Sequence, residues 1–590
     1  MSITTEHFPG HPPRATSTLS QEGRRAALEA MGSETELDLL VIGGGITGAG
    51  TALDAATRGL RVGLVEARDW ASGTSSRSSK LVHGGLRYLE MLDFGLVREA
   101  LKERGLLLQR IAPHLVRPVR FLYPLKHHLW ERAYLGAGLA LYDALAGFSG
   151  KGRGLPTHRH LTRAEALRQC SGLRRDALTG AVAYWDAQVD DARYTMTVVR
   201  TAAQYGALCA NRTQVVGLLR DGSRVIGARL VDLESGREVE VRARQVIGAA
   251  GVWTDDLQRL ATSSEERPLA PDAPHVRASK GVHLVVSADH LRSETGLILR
   301  TERSVLFVIP WGAHWIIGTT DTEWTLDKGR PAASSADIDY ILDRVNAVLT
   351  KPIQRSDIQG VYVGLRPLVS GEGDSTVKLS REHVVAQPAP GLVTIAGGKF
   401  TTYRIMARDA VDVACRAWGE SVPPSCTQQV PLVGASEFLA LWNSRIGMAE
   451  AHGLALTCLE RLLQRYGSDV TTLLELIDRD PTLGREVENS GGYLRAEIQY
   501  AASHEGALHL DDVLTRRTRI SMEVADRGTG CAREVAEILA SVLDWEPQRI
   551  EAEVETYRNR VAAELESQRQ PDDVSAAEAR LAVRESVPVR

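Results

Sequence analysis

The chain has 590 residues, with 70 Lys and Arg against 74 Asp and Glu, a formal net charge of −4, 43% apolar residues and 24% charged ones. That balance belongs to a folded globular protein and excludes disordered, collagen-like and fully membrane-embedded classes. A near-neutral charge and only 5% aromatic residues leave no footprint for nucleic acid.

Residues 1–35 are polar and irregular and read as a disordered segment. Arg24-Arg25 has no apolar run behind it, so no secretory signal is expected. Six cysteines without a C-x-x-C pair give neither a disulfide framework nor a zinc ribbon, and suit a reducing cytosol. No run of about 20 apolar residues is present to cross a bilayer.

Residues 37–42 (LDLLVI) have the pattern of a buried parallel strand. Gly43, Gly45 and Gly48 follow as G-x-G-x-x-G, then a helix over 49–58, a strand over 61–65 and the acid Glu66. Gly43 permits a tight turn, Gly45 lets a pyrophosphate approach the backbone at the positive end of the helix, and Gly48 permits close packing. Glu66 can accept from a ribose diol and repels a 2′-phosphate, which disfavours NADP. The unit predicts dinucleotide binding and leaves NAD and FAD both open. Downstream, the hydroxyls of Thr74, Ser75, Ser76 and Ser79 and the ammonium of Lys80 stand where they can reach a cofactor or its phosphates. His83 and Arg87 follow at close spacing, and imidazole, with a reference pKa of ~6.5, suits proton transfer.

The segment 117–145 mixes basic and aromatic residues with an apolar run, so interfacial membrane contact and packing on its own core stand as equal readings. Strand-like alternation over 255–355, with 110–185 contributing, predicts a mixed sheet over the substrate. The 189–253 and 360–408 segments are expected to complete the nucleotide domain. From 426 to 567 the pattern turns helical: Leu459, Leu462, Leu463 and Tyr466 form one apolar face, and Val535, Ile538, Leu539 and Val542 another. A homodimer contact is one use for these faces. The tail 568–590 reads as mobile. His504-Glu505 lacks the second histidine of a zincin, and no metal site is expected.

The stretches TSSRSSKLVHGGLRYLE (74–90), VDDAR (189–193), FVIPW (307–311), IIGTTDTE (316–323), GLRPL (364–368) and GGKFTTYR (397–404) resemble FAD-dependent respiratory glycerol-3-phosphate dehydrogenase, most of all its actinobacterial members. The resemblance runs from about 37 to 564, and DDVLTRRTR (511–519) is similar to the helical domain this family appends. It implies an α/β fold: a doubly wound FAD-binding domain of the glucose-oxidase/D-amino-acid-oxidase type, an interleaved mixed-sheet substrate domain within 36–425, and a C-terminal helical domain. It implies oxidation of sn-glycerol 3-phosphate to dihydroxyacetone phosphate, with electrons leaving for a membrane quinone at the cytoplasmic face.

The carried-over roles are proton transfer for His83, alkoxide stabilisation for Arg366, and a place beside the flavin for Lys399. Arg87 and Arg381 are implied to hold the phosphate, helped by Tyr88 and Lys280. Val215 is implied to offer its backbone to the adenine, and Gly251, Gly398 and Thr401 to line the flavin. One departure stands out: Gly248-Ala249-Ala250-Gly251 replaces the usual Asn-Ala-Thr-Gly and removes two polar side chains. An oxidase making hydrogen peroxide, a catalytically degenerate flavin-binding scaffold and an amine or amino-acid oxidase are the alternatives.

Overall fold

The computed structural model describes residues 15–85, 94–127, 130–147, 155–261, 273–301, 305–369, 383–419 and 421–583. Arg87, Tyr88 and Arg381 lie outside the described residues.

Among the described residues two large sheets carry the molecule. In the first, Leu37–Ile42 runs parallel to Val62–Val65 on one side and Glu238–Gly248 on the other. Leu208–Ala210 and Leu392–Gly397 extend it in parallel. Parallel strands need both faces covered. The helices Ile46–Thr57, Asp191–Gln204 and Tyr403–Cys415 bury one face around Leu39, Val41 and Ile247. The helix Gln21–Met31 and the antiparallel strands Thr213–Asp221 and Arg224–Asp232 cover the other. The sheet is thus the doubly wound frame expected, with its strands dispersed along the chain.

The second sheet is mixed and mostly antiparallel. Its spine is Val276–Ser287 paired along its length with Ile358–Val369. The strand 358–369 therefore belongs to the substrate-side sheet rather than to the nucleotide domain. Local sequence hid this, because strand pairing is a non-local choice.

Two terminal expectations are corrected. Residues 21–31 form a helix capped by Ser20, and Arg24 is buried against Asp232 and the Asn211 carbonyl. The tail also folds: Asp573–Leu581 is a helix capped by Asp572, with Ala576 and Ala577 buried. Asp573 there pairs with Lys280 of the second sheet. Short amphipathic segments of polar composition do not announce their partners in sequence.

The C-terminal helices bury the two predicted stripes, Leu459, Leu462, Leu463 and Tyr466 in one cluster and Val535 and Leu539 in the next, with Ile538 and Val542 packed against it. Of the segment 117–145, the strand part is core at Phe121, while the helix Trp130–Gly147 buries Leu139 and Tyr142 and exposes Tyr134 and Leu141. Among the described residues no helix is long and apolar enough to cross a membrane.

Candidate functional site

The glycine turn is held by contacts that only glycine permits. Gly43 has φ +116°, and a Cβ there would lie 2.5 Å from the Ala249 carbonyl oxygen. A Cβ on Gly48 would lie 1.9 Å from the Gly43 oxygen. The helix that follows begins at Ile46 with Gly45 at its cap and no cap from Gly45 itself; the Ile46 N–H donates instead to Ser75 Oγ at 2.9 Å. Glu66, at the end of the second strand, accepts from Gly44 N–H at 2.7 Å and from Arg68 N–H at 2.8 Å. Burial raises its pKa above the usual carboxylate value, against the pull of those two bonds and of Arg68. Each carboxylate oxygen keeps acceptor capacity for a ribose diol. Val215 lies on the strand that begins at Thr213, whose N–H donates to the Glu66 carbonyl. A glycine cradle, a helix N-terminus and an acid at the strand end fit the adenosine diphosphate part of FAD.

The altered stretch 248–251 packs directly on this turn. Ala249 N–H donates to the Ile42 carbonyl. A Cβ on Gly248 would lie 2.6 Å from Leu257 Cδ2, so a side chain there would have to displace Leu257 of the helix Thr254–Leu260. Gly251 has φ +57° with open space beside it. The site keeps its backbone there.

The segment 74–80 is sandwiched between the glycine turn and one face of the paired strands 276–287 and 358–369. Alternation puts Ser279, Gly281 and His283 on that face, opposite Arg366, Gly364 and Tyr362. Gly281 and Gly364 leave room: a Cβ on Gly364 would lie 2.4 Å from the Arg77 carbonyl oxygen, and one on Gly281 would lie 2.8 Å from Arg366 Nη2. Thr74 Oγ1 donates to the Leu365 carbonyl at 2.6 Å, and Tyr362 Oη donates to the Ser78 carbonyl at 3.0 Å. Arg366 is held by Thr319 Oγ1 at 3.1 Å and the Thr320 carbonyl at 3.2 Å, with Asp321 at 3.5 Å.

His283 was not singled out from sequence. It is buried, stacked on Tyr362 with ring centroids 4.6 Å apart, and its Nε2 meets Ser79 Oγ at 2.9 Å. Burial, with Arg366 and Lys80 nearby, pushes its pKa well below the ordinary value, so the ring is neutral. Its position opposite Tyr362 on the Arg366 face was readable only once the register was known.

His83 is fixed through its backbone. Its N–H donates to Thr401 Oγ1 at 3.2 Å, and that hydroxyl lies 3.3 Å from the His83 carbonyl oxygen. The next residue, Gly84, donates to Tyr142 Oη at 2.9 Å, and Tyr142 donates to Asp186, which also pairs with Arg104 at 2.5 Å. This buried network brings His83 to the start of the turn Phe400–Thr402, beside Gly398 (φ +78°) and Lys399.

Two lysines are placed otherwise than expected. Lys280 follows Ser279, so its side chain leaves the opposite face and pairs with Asp337 at 2.6 Å and with Asp573. It is not available to a phosphate on the Arg366 face. Lys80 is fully buried, bonded to Asp191 at 2.8 Å and to the Ser76 carbonyl, with Tyr362 4.8 Å away. It braces the 74–80 segment.

In sequence the stretch 511–519 is marked only by its resemblance to the family's helical domain, which gives its arginines no role. Arg517 grips Asp69 with two bonds of 2.7 Å, Arg516 Nε adds a third, and Arg519 reaches Asp190 at 2.6 Å and Asp191 at 2.5 Å. Burial alone would raise the Asp69 pKa; Arg517 and Arg516 hold it well below the usual range. The helical domain thereby clamps the segment that follows Glu66 and the start of the helix Asp191–Gln204. Among the described residues no group of His, Cys, Asp and Glu is arranged for a metal ion.

Residues 38–404 match the family model "FAD dependent oxidoreductase", and 425–550 match "C-terminal domain of alpha-glycerophosphate oxidase". The chain is 55% identical over 580 residues to glycerol-3-phosphate dehydrogenase 2 of Mycobacterium tuberculosis (strain ATCC 25618 / H37Rv), covering 97% of each. It is 36% identical to the mitochondrial glycerol-3-phosphate dehydrogenase of Mus musculus over 90% of this chain and 74% of that protein. The crystal structure of the Bacillus halodurans glycerol-3-phosphate dehydrogenase complexed with FAD superposes with a TM-score of 0.74 at 28% identity, covering 93% of this chain and 98% of that one.

Proposed function

The chain belongs to the FAD-dependent oxidoreductases, in the branch of the glycerol-3-phosphate dehydrogenases, and on that footing we propose that it oxidises sn-glycerol 3-phosphate to dihydroxyacetone phosphate and passes the electrons to a membrane quinone. The observation that carries this reading is the stacking of the Arg366 face on the 74–80 segment beside the glycine turn, with His83 tied to Thr401. One wall is built for a dinucleotide and the other presents a fixed guanidinium.

FAD, when bound, supplies the two-electron chemistry by accepting hydride from carbon 2. The protein's part is geometry and charge. His83 takes the hydroxyl proton, its backbone locked by Thr401 and by the Gly84–Tyr142–Asp186 network. Arg366 cannot serve as a base, because a guanidinium keeps its protons, but it stabilises negative charge as it develops on the oxygen. Thr319 and the Thr320 carbonyl fix its direction. Lys399 adds positive charge on the flavin side. Arg87, Tyr88 and Arg381 hold the substrate phosphate, for which the planar fork of arginine is suited. The exposed Tyr134 and Leu141 of the helix 130–147 meet the cytoplasmic membrane surface where the quinone is reached.

The test is anaerobic mixing of the FAD-loaded protein with sn-glycerol 3-phosphate while the flavin band near 450 nm is followed. Bleaching by this substrate, but not by glycerol or by amino acids, is expected. Failure to bleach in a fully loaded sample would overturn the dehydrogenase assignment. Reoxidation by a quinone analogue without stoichiometric peroxide in air is expected; peroxide as the main product would make the protein an oxidase.

A further inference from the structure

Behind the cofactor segment lies a cavity that this chemistry does not use. Its walls come from the segment 68–77, the turn at Gly329 and Arg330, and the C-terminal residues 511–516, 553–560 and 580–583. Seven arginines line it against three carboxylates, Asp69, Asp511 and Glu553. Those carboxylates are already engaged: Asp69 by Arg516 and Arg517, Asp511 by Arg516 and Arg560, Glu553 by His509 and Arg549. Glu564, behind the wall, takes Arg560 and Arg580. Asp512, beside the wall, takes Arg212 as well as Arg516, and none of these carboxylates pairs with Arg77.

Arg77 borders this cavity and the adjoining one, which Arg519, Arg560 and Arg580 also line. Among the described residues no hydrogen bond or ion pair engages its guanidinium. Burial, together with Arg580 and Arg516, pushes its pKa down to about 10. Arg580 is likewise lowered, by burial first and by Arg560 among its neighbours. Three chain segments distant in sequence bring guanidinium groups to one partly open cavity, in which Arg516, Arg560 and Arg580 have carboxylate partners and Arg77 has none among the described residues.

We propose that this cavity is a binding site for a small phosphate dianion, held by Arg77 and Arg580 with Arg516 and Arg560 behind them. Arginine forks match phosphate oxygens two at a time, and partial enclosure strengthens each charge-assisted bond. The site is separate from the cofactor's seat: Gly43, Gly45, Glu66 and Val215 are not among its walls. Because Arg580 lies on the helix 573–581, whose Asp573 pairs with Lys280, an occupied site ties the tail to the cofactor segment and to the second sheet. The ligand is inorganic phosphate or a phosphate monoester of the size of the proposed substrate.

The test is calorimetric titration of inorganic phosphate into the FAD-loaded full-length protein, with glycerol 2-phosphate as a second, non-oxidised probe. Saturable binding is expected, weakened roughly tenfold or more in Arg77→Gln and in Arg580→Gln. Arg580→Gln should keep its FAD content and its KM for sn-glycerol 3-phosphate, which separates this site from the active site. Tighter binding of glycerol 2-phosphate than of phosphate assigns a monoester as the occupant, and the reverse assigns free phosphate. Phosphate should also slow proteolytic cleavage within 573–581 in the parent protein and not in Arg580→Gln. Should either glutamine variant misfold, Arg580→Lys keeps charge and packing and should retain binding at reduced affinity. Superimposable isotherms for parent and Arg580→Gln, or no phosphate binding in the parent at millimolar concentration, would overturn the proposal whatever the enzyme's turnover.

Discussion

One methyl group separates a cofactor site from a blocked turn at Gly48, where a Cβ would sit 1.9 Å from the Gly43 oxygen. The helix start would have to move away from the turn proposed to cradle the pyrophosphate. Gly48→Ala should therefore purify with less than about a tenth of the parent's FAD and lose ~1–3 kcal/mol of stability; the ratio of absorbance at 450 and 280 nm reads the first, and full occupancy would refute the assignment. His509 carries a different single-residue effect. Burial and Arg212 push its pKa down, but hydrogen bonds to Glu234 and Glu553, each at 2.9 Å, prevail and hold it at about 9. The folded value lies above the unfolded one, so the charged ring stabilises the fold fully below about pH 6.5, and that contribution disappears as pH rises through about 9. The shift corresponds to at most about 3 kcal/mol. Urea midpoints of the parent should fall between pH 6.5 and 9.5, and His509→Gln should flatten that slope; an unchanged slope would show that other groups govern it.

At the scale of elements, the short strand Leu81–Val82 and the turn after it are too brief to fix His83 unaided. Their position is imposed by the helix Trp130–Gly147, which brings Tyr142 to Gly84, and by the turn Phe400–Thr402, which brings Thr401 to His83. Tyr142→Phe removes the nearer acceptor for Gly84 N–H, leaving it Asp186 Oδ1 at 3.4 Å, and removes the donor to Asp186, leaving Arg104 with Asp186. It should cost ~1–3 kcal/mol and lower kcat while FAD stays bound. Single-turnover flavin reduction is the measurement, and an unaltered rate would mean that Thr401 alone sets His83. This division explains what was readable in the sequence. The strand, turn, helix and acid of 37–66 lie within thirty residues, each with its own residue signature, so the fold of this unit was legible. The stripes Leu459–Tyr466 and Val535–Val542 were legible because helical periodicity is local. Lys280 was misassigned because the parity of a strand position becomes a direction only when the partner strand and its register are known. The same ignorance hid His283, two positions from Gly281 on the Arg366 face, and placed 358–369 in the wrong sheet.

The molecule as a whole is joined by buried charge rather than by one continuous apolar core. Asp69 stands at the junction, fully buried, its two oxygens taken by Arg517, with Arg516 on the second. Arg516 has Asp511 and Asp512 as further partners, whereas Arg517 otherwise donates to the Glu505 carbonyl. Removing the Asp69 carboxylate therefore strands one guanidinium inside the protein, a loss of ~3–5 kcal/mol, while replacing both partners by apolar groups of similar size avoids the unpaired charge. Asp69→Leu should separate the unfolding of the C-terminal helices from that of the nucleotide domain, giving two calorimetric transitions where the parent gives one. It should also weaken FAD retention, because the clamped segment 68–77 leads from Glu66 to the Thr74–Ser76 hydroxyls. The double variant Asp69→Leu with Arg517→Met should regain much of the lost stability and a single transition. If the double variant is as unstable as the sum of the single ones, the pair is not coupled, and apolar contacts rather than this ion pair hold the helical domain against the cofactor domain.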